Sequence, residues 1–254
     1  MHPDNQPKLL VIVGETASGK STLAIELAKK LNGEIINADS QTIRQEANIG
    51  TAKPSISEQK AVKHHLIDII RPDEQFSVAA FQEMANKAIQ DISKRGKLPI
   101  MVGGTGLYID SVIYNYKFGG NQSDKQLRPN TLTIGIQQDR EELKQKIYAR
   151  TKSMIKNGLE EEVGHLADKY GWQCEVLRSI SYREWRGYFE NAKTSQDDQI
   201  SLQQVEEAIN KDTLELAKKQ RTWFKRNKSI HWLLAPVNLD DAVDGILVQF
   251  PLPK

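Results

Sequence analysis

An apolar run, Leu9 to Val13, leads directly into Gly14-Glu15-Thr16-Ala17-Ser18-Gly19-Lys20-Ser21. This is the phosphate-loop pattern, a glycine followed after four residues by Gly-Lys-Ser, set between a buried strand and a helix. It commits the chain to phosphate chemistry on a strand–loop–helix unit, the opening of a layered α/β fold. The glycines let successive backbone N–H groups point inward at phosphate oxygens. Lys20 adds a point charge, and Ser21 offers a hydroxyl to Mg2+ as the helix begins. Gly14, Glu15, Thr16, Ala17, Ser18, Gly19, Lys20 and Ser21 are therefore the expected cradle for a di- or triphosphate.

At 254 residues the chain is long enough to bury a substantial core as a single α/β unit. Its formal net charge is only +2, so affinity for nucleic acid must come from clustered cations. Cys174 stands alone, which excludes an internal disulfide and a cysteine metal site. No apolar stretch approaches the roughly 20 residues of a membrane helix. The polar start, Met1 to Lys8, has no signal-peptide core. The expectation is a cytosolic monomer with no membrane partner.

Glu34 to Ala38 reads as a second buried strand, with Ser21 to Leu31 as the helix before it. Ser77 is placed to cap a helix from Val78 to about Lys94, where Val78, Phe81, Ala85, Ala88 and Ile92 recur at helical spacing and Gly96 supplies the stop. Leu98 to Val102 is a compact apolar strand ending in Gly103-Gly104-Thr105-Gly106. Ligands in parallel sheets gather beyond the carboxyl ends of the strands, so these glycines fall beside the phosphate loop. Thr131 to Ile136 reads as a further strand, and Asp139 as the cap of a helix that turns Leu143, Ile147 and Ile155 inward. The rest is helical until Ile230 to Leu234. The expected fold is thus a P-loop NTPase-like parallel sheet flanked by helices, with a helical C-terminal half. Lys117 to Gln126 is polar and too short to be more than a loop. His64 and His65 would point to opposite faces of a strand, which argues against joint catalysis. Asp68 reads as structural.

Further blocks surround the phosphate loop: Asp39-Ser40, Ile49-Gly50-Thr51-Ala52-Lys53-Pro54, His64-His65-Leu66-Ile67-Asp68, Phe76-Ser77-Val78-Ala79 and Gly103-Gly104-Thr105-Gly106-Leu107-Tyr108. Later come Leu127-Arg128-Pro129-Asn130-Thr131, Asp139-Arg140-Glu141 and Ala217-Lys218-Lys219-Gln220-Arg221-Thr222-Trp223-Phe224. In this order, over nearly the whole chain, the blocks resemble the bacterial tRNA dimethylallyltransferases. The resemblance implies transfer of a dimethylallyl group from dimethylallyl pyrophosphate to the N6 amine of the adenosine next to the tRNA anticodon. It implies pyrophosphate on the phosphate loop with Mg2+ on Ser21, Arg140 as a further cation for the leaving group, and Thr16 and Thr105 along the channel where amine and prenyl group meet. Arg140 also reads as a surface arginine at a helix start, and each threonine as a turn residue. An adenine amine must lose a proton as it attacks, so a carboxylate beside it is the expected general base. Asp39, ending the second strand, is the candidate.

Leu202 to about Asn227 is the late helix, with Leu202, Val205, Ile209, Leu216 and Trp223 as the stripe expected to face the core. Lys218, Arg221, Lys225 and Lys228, three or four apart, share another face. Such a row suits an RNA phosphate backbone, and a solvated face explains it equally well. The expected contacts to the tRNA anticodon loop are Asp39, Ser40, Gln41, Thr42, Thr105, Lys218, Arg221 and Lys225. The family usually has a helical insertion that grips the anticodon stem, where this chain has only Lys117 to Gln126. Glu15 stands in place of the usual loop proline, Gln41-Thr42-Ile43-Arg44 in place of a Met-Gln-Val-Tyr block, and Ser181 in place of a glycine before Tyr182. Three alternatives stay open: a P-loop small-molecule kinase, a prenyltransferase for free adenine nucleotide, and a non-catalytic RNA- or pyrophosphate-binding relative. Against the kinase, the strand Leu98 to Val102 lacks the terminal aspartate that commonly positions Mg2+ in ATPases.

Overall fold

The structure, a computed structural model, describes residues 6–118, 126–191 and 200–250. Most of the loop expected between Lys117 and Gln126 lies outside the described residues. The strands are β1 Leu9–Gly14, β2 Gly33–Asn37, β3 His64–His65, β4 Leu98–Val102, β5 Thr131–Gln137 and β6 Ile230–Leu234. The helices are α1 Lys20–Lys30, α2 Ile56–Ala61, α3 Val78–Lys94, α4 Gly106–Ile113, α5 Arg140–Lys156, α6 Leu159–Tyr170, α7 Arg186–Asn191, α8 Leu202–Phe224 and α9 Leu239–Gln249.

The strands pair in parallel in the order β3-β2-β4-β1-β5-β6. Parallel strands are covered on both faces, so they read as continuous apolar runs. In β1, Leu9, Val11 and Val13 point into a layer shared with Phe81, Ala85, Ile89 and Ile92 of α3 and with Ile109, Val112 and Ile113 of α4. Leu10 and Ile12 point the other way, onto Leu23, Ala24 and Leu27 of α1 and Ile246 of α9. A third cluster, built from Val163 and Leu166 of α6, Tyr182, Trp185, and Val205 and Ile209 of α8, gives the helical C-terminal half its own core. No helix among the described residues is long and apolar enough to cross a membrane.

The local signals act as their chemistry requires. Ser77 Oγ accepts from the Ala80 N–H at 3.1 Å, and Asp139 Oδ1 accepts from the N–H groups of Glu141 and Glu142 at 2.9 and 3.2 Å. In α5 the buried positions are Leu143, Ile147, Thr151 and Met154, and Ile155, half-buried, packs against the third cluster. Of the two short helices α4 and α9, α9 opens on Asn238, whose Oδ1 accepts from the N–H groups of Asp240 and Asp241, whereas α4 has no side-chain cap. Few turns carry little periodicity, and it is tertiary burial that makes such helices stable.

At the amino end of the sheet, away from the phosphate loop, Glu34 is buried among cations. Arg95 donates to both of its oxygens at 2.9 and 2.8 Å, His65 Nε2 lies 2.7 Å away and Lys97 Nζ 3.2 Å. Burial alone would raise the carboxyl's pKa, but the bonds from His65, Arg95 and Lys97 outweigh it and hold the group at about 2, against an ordinary 4.5. A depressed carboxyl contributes stability above its unfolded pKa and loses it as pH falls through the folded value. Glu34→Gln is expected to cost about 2 kcal/mol at neutral pH, the scale of hydrogen bonds to a charged group. Urea denaturation checks this, and the gap from the parent chain should close progressively as the pH is taken below 4.5 toward 2.

Candidate active site

Because β4 inserts between β2 and β1, the loops that follow these three strands converge at one edge of the sheet. After β1 the phosphate loop turns into α1, whose first residues, Lys20 and Ser21, stand at its positive end. Lys20 Nζ donates to the Glu15 carbonyl at 2.5 Å. Burial pulls the Lys20 ammonium down to about 8, with Arg150 acting in the same direction and the charges of Asp39 and Glu15 opposing. Ser21 is exposed and lines the same cavity as Lys20.

Helix α8 grips the loop through two consecutive side chains. Gln220 Oε1 accepts from the Thr16 N–H at 2.7 Å, while its Nε2 donates to the Gly104 carbonyl at 3.1 Å. The fit is close, since a Cβ on Gly104 would lie 2.3 Å from Gln220 Nε2. Arg221 pairs with Glu15, its Nε and one terminal nitrogen both 2.7 Å from Oε1. The carboxylate at the loop's bend is thereby neutralised and turned toward α8. From the other side, Arg150 on α5 donates to Thr16 Oγ1 at 2.9 Å. Burial weighs against the Arg150 charge, and Asp39 supports it.

Asp39 follows β2. Its Oδ1 accepts from the Gln41 N–H at 2.8 Å and the Thr42 N–H at 3.4 Å, and Oδ2 has no hydrogen-bond partner among the described residues. Thr105, after β4, accepts from the Ser40 N–H at 3.0 Å and donates to Ser40 Oγ at 3.3 Å. The opposite wall, Gly50-Thr51-Ala52, is held by Glu162, which accepts from the N–H groups of Asn48, Ile49 and Gly50 at 2.9 to 3.1 Å and from the Tyr182 hydroxyl at 2.7 Å.

Two cavities meet here. One, of about 400 Å³, is lined by Lys20, Ser21, Thr22, Asn37, Thr42, His64 and Lys146. The other, of about 440 Å³, is lined by Ser40, Gln41, Thr105, Leu107, Arg183, Lys219, Gln220 and Trp223. Thr16, Asp39, Thr51, Ala52, Gly104 and Arg150 belong to both. A chamber lined by the loop from Thr16 to Ser21 and a second chamber thus share a wall that carries a carboxylate, a hydroxyl and a guanidinium.

The structure brings together Thr16, Lys20, Ser21, Asp39, Ser40, Gln41, Thr42 and Thr105 among the expected residues. Arg140 stays apart: it is exposed at the start of α5 and lines neither cavity. Arg150, farther along the same helix, stands at the shared wall instead. Arg221, expected to contact RNA, is committed to Glu15, and its side chain is 24% exposed. Lys218 and Lys225 are exposed on α8 and just beyond it, but Lys219 is the lysine on the cavity wall. Arg44 is buried, and its Nη1 donates to the carbonyls of Arg71, Pro72 and Glu74, so it pins a neighbouring turn and does not face the site. Ser181 has a φ of 76°, a left-handed conformation that favours glycine, in keeping with the glycine the family resemblance puts there.

The inward face of α8 also differs from the expected stripe. Its buried residues are Val205, Ile209, Asn210, Thr213, Ala217, Gln220 and Phe224, while Leu202 is exposed, Leu216 lines the cavity, and Trp223 both lines it and packs against the first core cluster. The signal for Gln220 was its helical spacing from Ile209, Thr213 and Ala217. A polar side chain inside a packed stripe needs a partner, and here the partners are the phosphate loop and Gly104.

Arg183, on the cavity wall, is held by Asp212 and by Glu184. The Glu184 side chain is 4% exposed, and its Oε2 has no hydrogen-bond partner among the described residues. Burial lifts its pKa to about 7. A carboxyl raised in this way contributes stability below its unfolded pKa and loses it as pH rises through the folded value. Glu184→Gln should therefore melt together with the parent chain near the unfolded value of 4.5 and at a higher temperature once the pH passes about 7. Thermal scans across that range check it.

The family model described as IPP transferase matches residues 43–131 and 117–227. The chain is similar to the tRNA dimethylallyltransferase of Anoxybacillus flavithermus, 35% identical over 285 positions that cover 89% of each protein. It is also similar to that of Alkaliphilus oremlandii, 37% identical over 290 positions covering 89% of this chain and 90% of the relative. The fold matches the crystal structure of a tRNA delta(2)-isopentenylpyrophosphate transferase from Staphylococcus epidermidis with a TM-score of 0.85 and 32% identity, covering 96% of this chain and 98% of that one. Both sequence alignments span more positions than the 254 residues of this chain, so each relative has internal residues that this chain lacks.

Proposed function

The chain belongs to the IPP transferase family, enzymes that transfer a dimethylallyl group to adenosine in tRNA, and from that premise we propose how its two chambers divide the reaction. Dimethylallyl pyrophosphate lies with its phosphates on the loop from Gly14 to Ser21. The acceptor, the adenosine next to the anticodon, enters from the chamber lined by Ser40, Gln41 and Trp223. They meet at Thr16, Asp39 and Arg150. The observation that supports this reading is that these three residues line both chambers.

The N6 amine attacks the prenyl carbon bonded to oxygen. The carbon–nitrogen bond forms, the carbon–oxygen bond breaks, and pyrophosphate departs. Positive charge builds on carbon and negative charge on the leaving oxygens, so donors fixed in advance around the leaving group lower the barrier. The loop N–H groups, Lys20 and Arg150 are those donors. Thr16 Oγ1 accepts from Arg150 and keeps its own proton for the leaving group. Asp39 takes the amine proton on Oδ2, since the N–H groups of Gln41 and Thr42 occupy Oδ1.

The family generally uses a divalent metal, and Mg2+ fits the donors present. No group of three His, Cys, Asp or Glu among the described residues could hold a metal alone. The Ser21 hydroxyl together with phosphate oxygens and water is a shell that Mg2+ accepts. When bound, it would supply further positive charge to the leaving pyrophosphate.

In this reading the 117–126 loop stands where longer family members have their tRNA-gripping insertion. Support comes from the family match, whose two segments overlap at residues 117–131. The core then acts as a cytosolic monomer on an anticodon loop held by fewer contacts. The test is to incubate the purified chain with labelled dimethylallyl pyrophosphate, Mg2+ and either anticodon stem-loop RNA or adenosine monophosphate. Label in the RNA alone is expected. Label in the mononucleotide alone would move the acceptor to a free nucleotide, and ATP consumed without RNA would argue for a kinase.

A further inference from the structure

We propose that Arg226, lying over the ring of Trp223 beside the acceptor chamber, forms a shelf for the nucleobase adjoining the acceptor adenosine. This rests on the reading that RNA is the acceptor. Trp223 lines the chamber together with Leu107, which is 43% exposed. Its ring is fixed on two sides. Nε1–H donates to Asp110 Oδ2 at 3.1 Å, and the ring lies against the start of α4, where a Cβ on Gly106 would come within 2.3 Å of it.

The Arg226 guanidinium carbon sits 4.3 Å from the Trp223 ring centroid, well inside cation–π range. Arg226 is exposed, and its Nε donates to the Trp223 carbonyl at 3.4 Å. A guanidinium is planar and delocalised, so this exposed one offers a flat cationic surface over the indole. Lys219 on the chamber wall and exposed Lys225 and Lys228 place further positive charge around it.

Single-stranded RNA is the partner this chemistry fits, because its unstacked bases lie on aromatic rings and arginine planes. Extruding the acceptor adenine also uncovers the face of its neighbour in the loop. A planar cation beside the chamber restores that stack. In the sequence Trp223 reads more readily as a core residue than as a base-stacking platform; in the structure it packs against the first core cluster and also lines the chamber.

A cycle on affinities tests the shelf. Anticodon stem-loops carry either the natural base or an abasic site at each nucleotide flanking the acceptor, and the full chain is compared with Arg226→Ala and Arg226→Lys. At one flanking position, removing the base should weaken binding by the parent chain roughly ten-fold, the size of one lost stack. Arg226→Ala should weaken binding of the intact RNA to the same extent and add nothing on the abasic RNA. Arg226→Lys, charged but not planar, should behave like Arg226→Ala. Affinity for inorganic diphosphate should stay at the parent value in both variants. Effects that multiply at both flanking positions, or a lysine variant that binds like the parent, overturn the shelf while RNA binding itself stands. If the parent chain binds no stem-loop, the RNA reading falls and the shelf with it.

Discussion

Replacing Asp39 by asparagine is expected to lower single-turnover prenyl transfer by roughly 10²- to 10⁴-fold, the range for a lost general acid or base. Asparagine keeps the size and an acceptor oxygen for the Gln41 and Thr42 N–H groups, so the turn after β2 should hold. What disappears is a carboxylate oxygen able to accept the amine proton. The variant should still bind inorganic diphosphate, because the phosphate loop and Arg150 are untouched. Rapid-quench measurement of prenylated RNA, beside a diphosphate titration, separates these effects. A variant that keeps near-parental transfer would remove Asp39 from its role.

Arg150→Ala should have the next largest effect, a loss of roughly 10²- to 10³-fold in kcat, as for removal of one preorganised donor. Arg150 is the cation that reaches Thr16 Oγ1 and shares the wall with Asp39. Arg140→Ala, an exposed change remote from the chambers, should stay within about 0.5 kcal/mol of the parent chain in stability and leave kcat near the parent value. Steady-state kinetics on the two variants decides between the arginines. Arg150→Lys should recover only part of the loss, because lysine keeps the charge but not the fixed fork of donors.

The contrast between these arginines shows where sequence reading stops. The phosphate loop, the glycines after β4 and the carboxylate after β2 are legible because strand ends and short motifs are local, and parallel sheets gather their ligands at one edge. Which side of α5 meets the loop depends on how that helix docks, and both arginines lie on it. The same holds for α8. Its apolar residues suggest one inward stripe, but docking turns Asn210, Thr213 and Gln220 inward, leaves Leu216 to the cavity and divides Trp223 between cavity and core. The Glu15–Arg221 pair joins residues 206 positions apart, and neither residue type alone announces the other. Glu162 holds the far wall through three backbone N–H groups, whose direction exists only once the turn has folded.

The most direct test of the central claim is position-resolved mass spectrometry of an anticodon stem-loop after reaction with the purified chain, dimethylallyl pyrophosphate and Mg2+. The account predicts one dimethylallyl group on N6 of the adenosine next to the anticodon, made by the parent chain and nearly absent with Asp39→Asn. RNA and diphosphate both bound but no prenylated adenosine formed would contradict it.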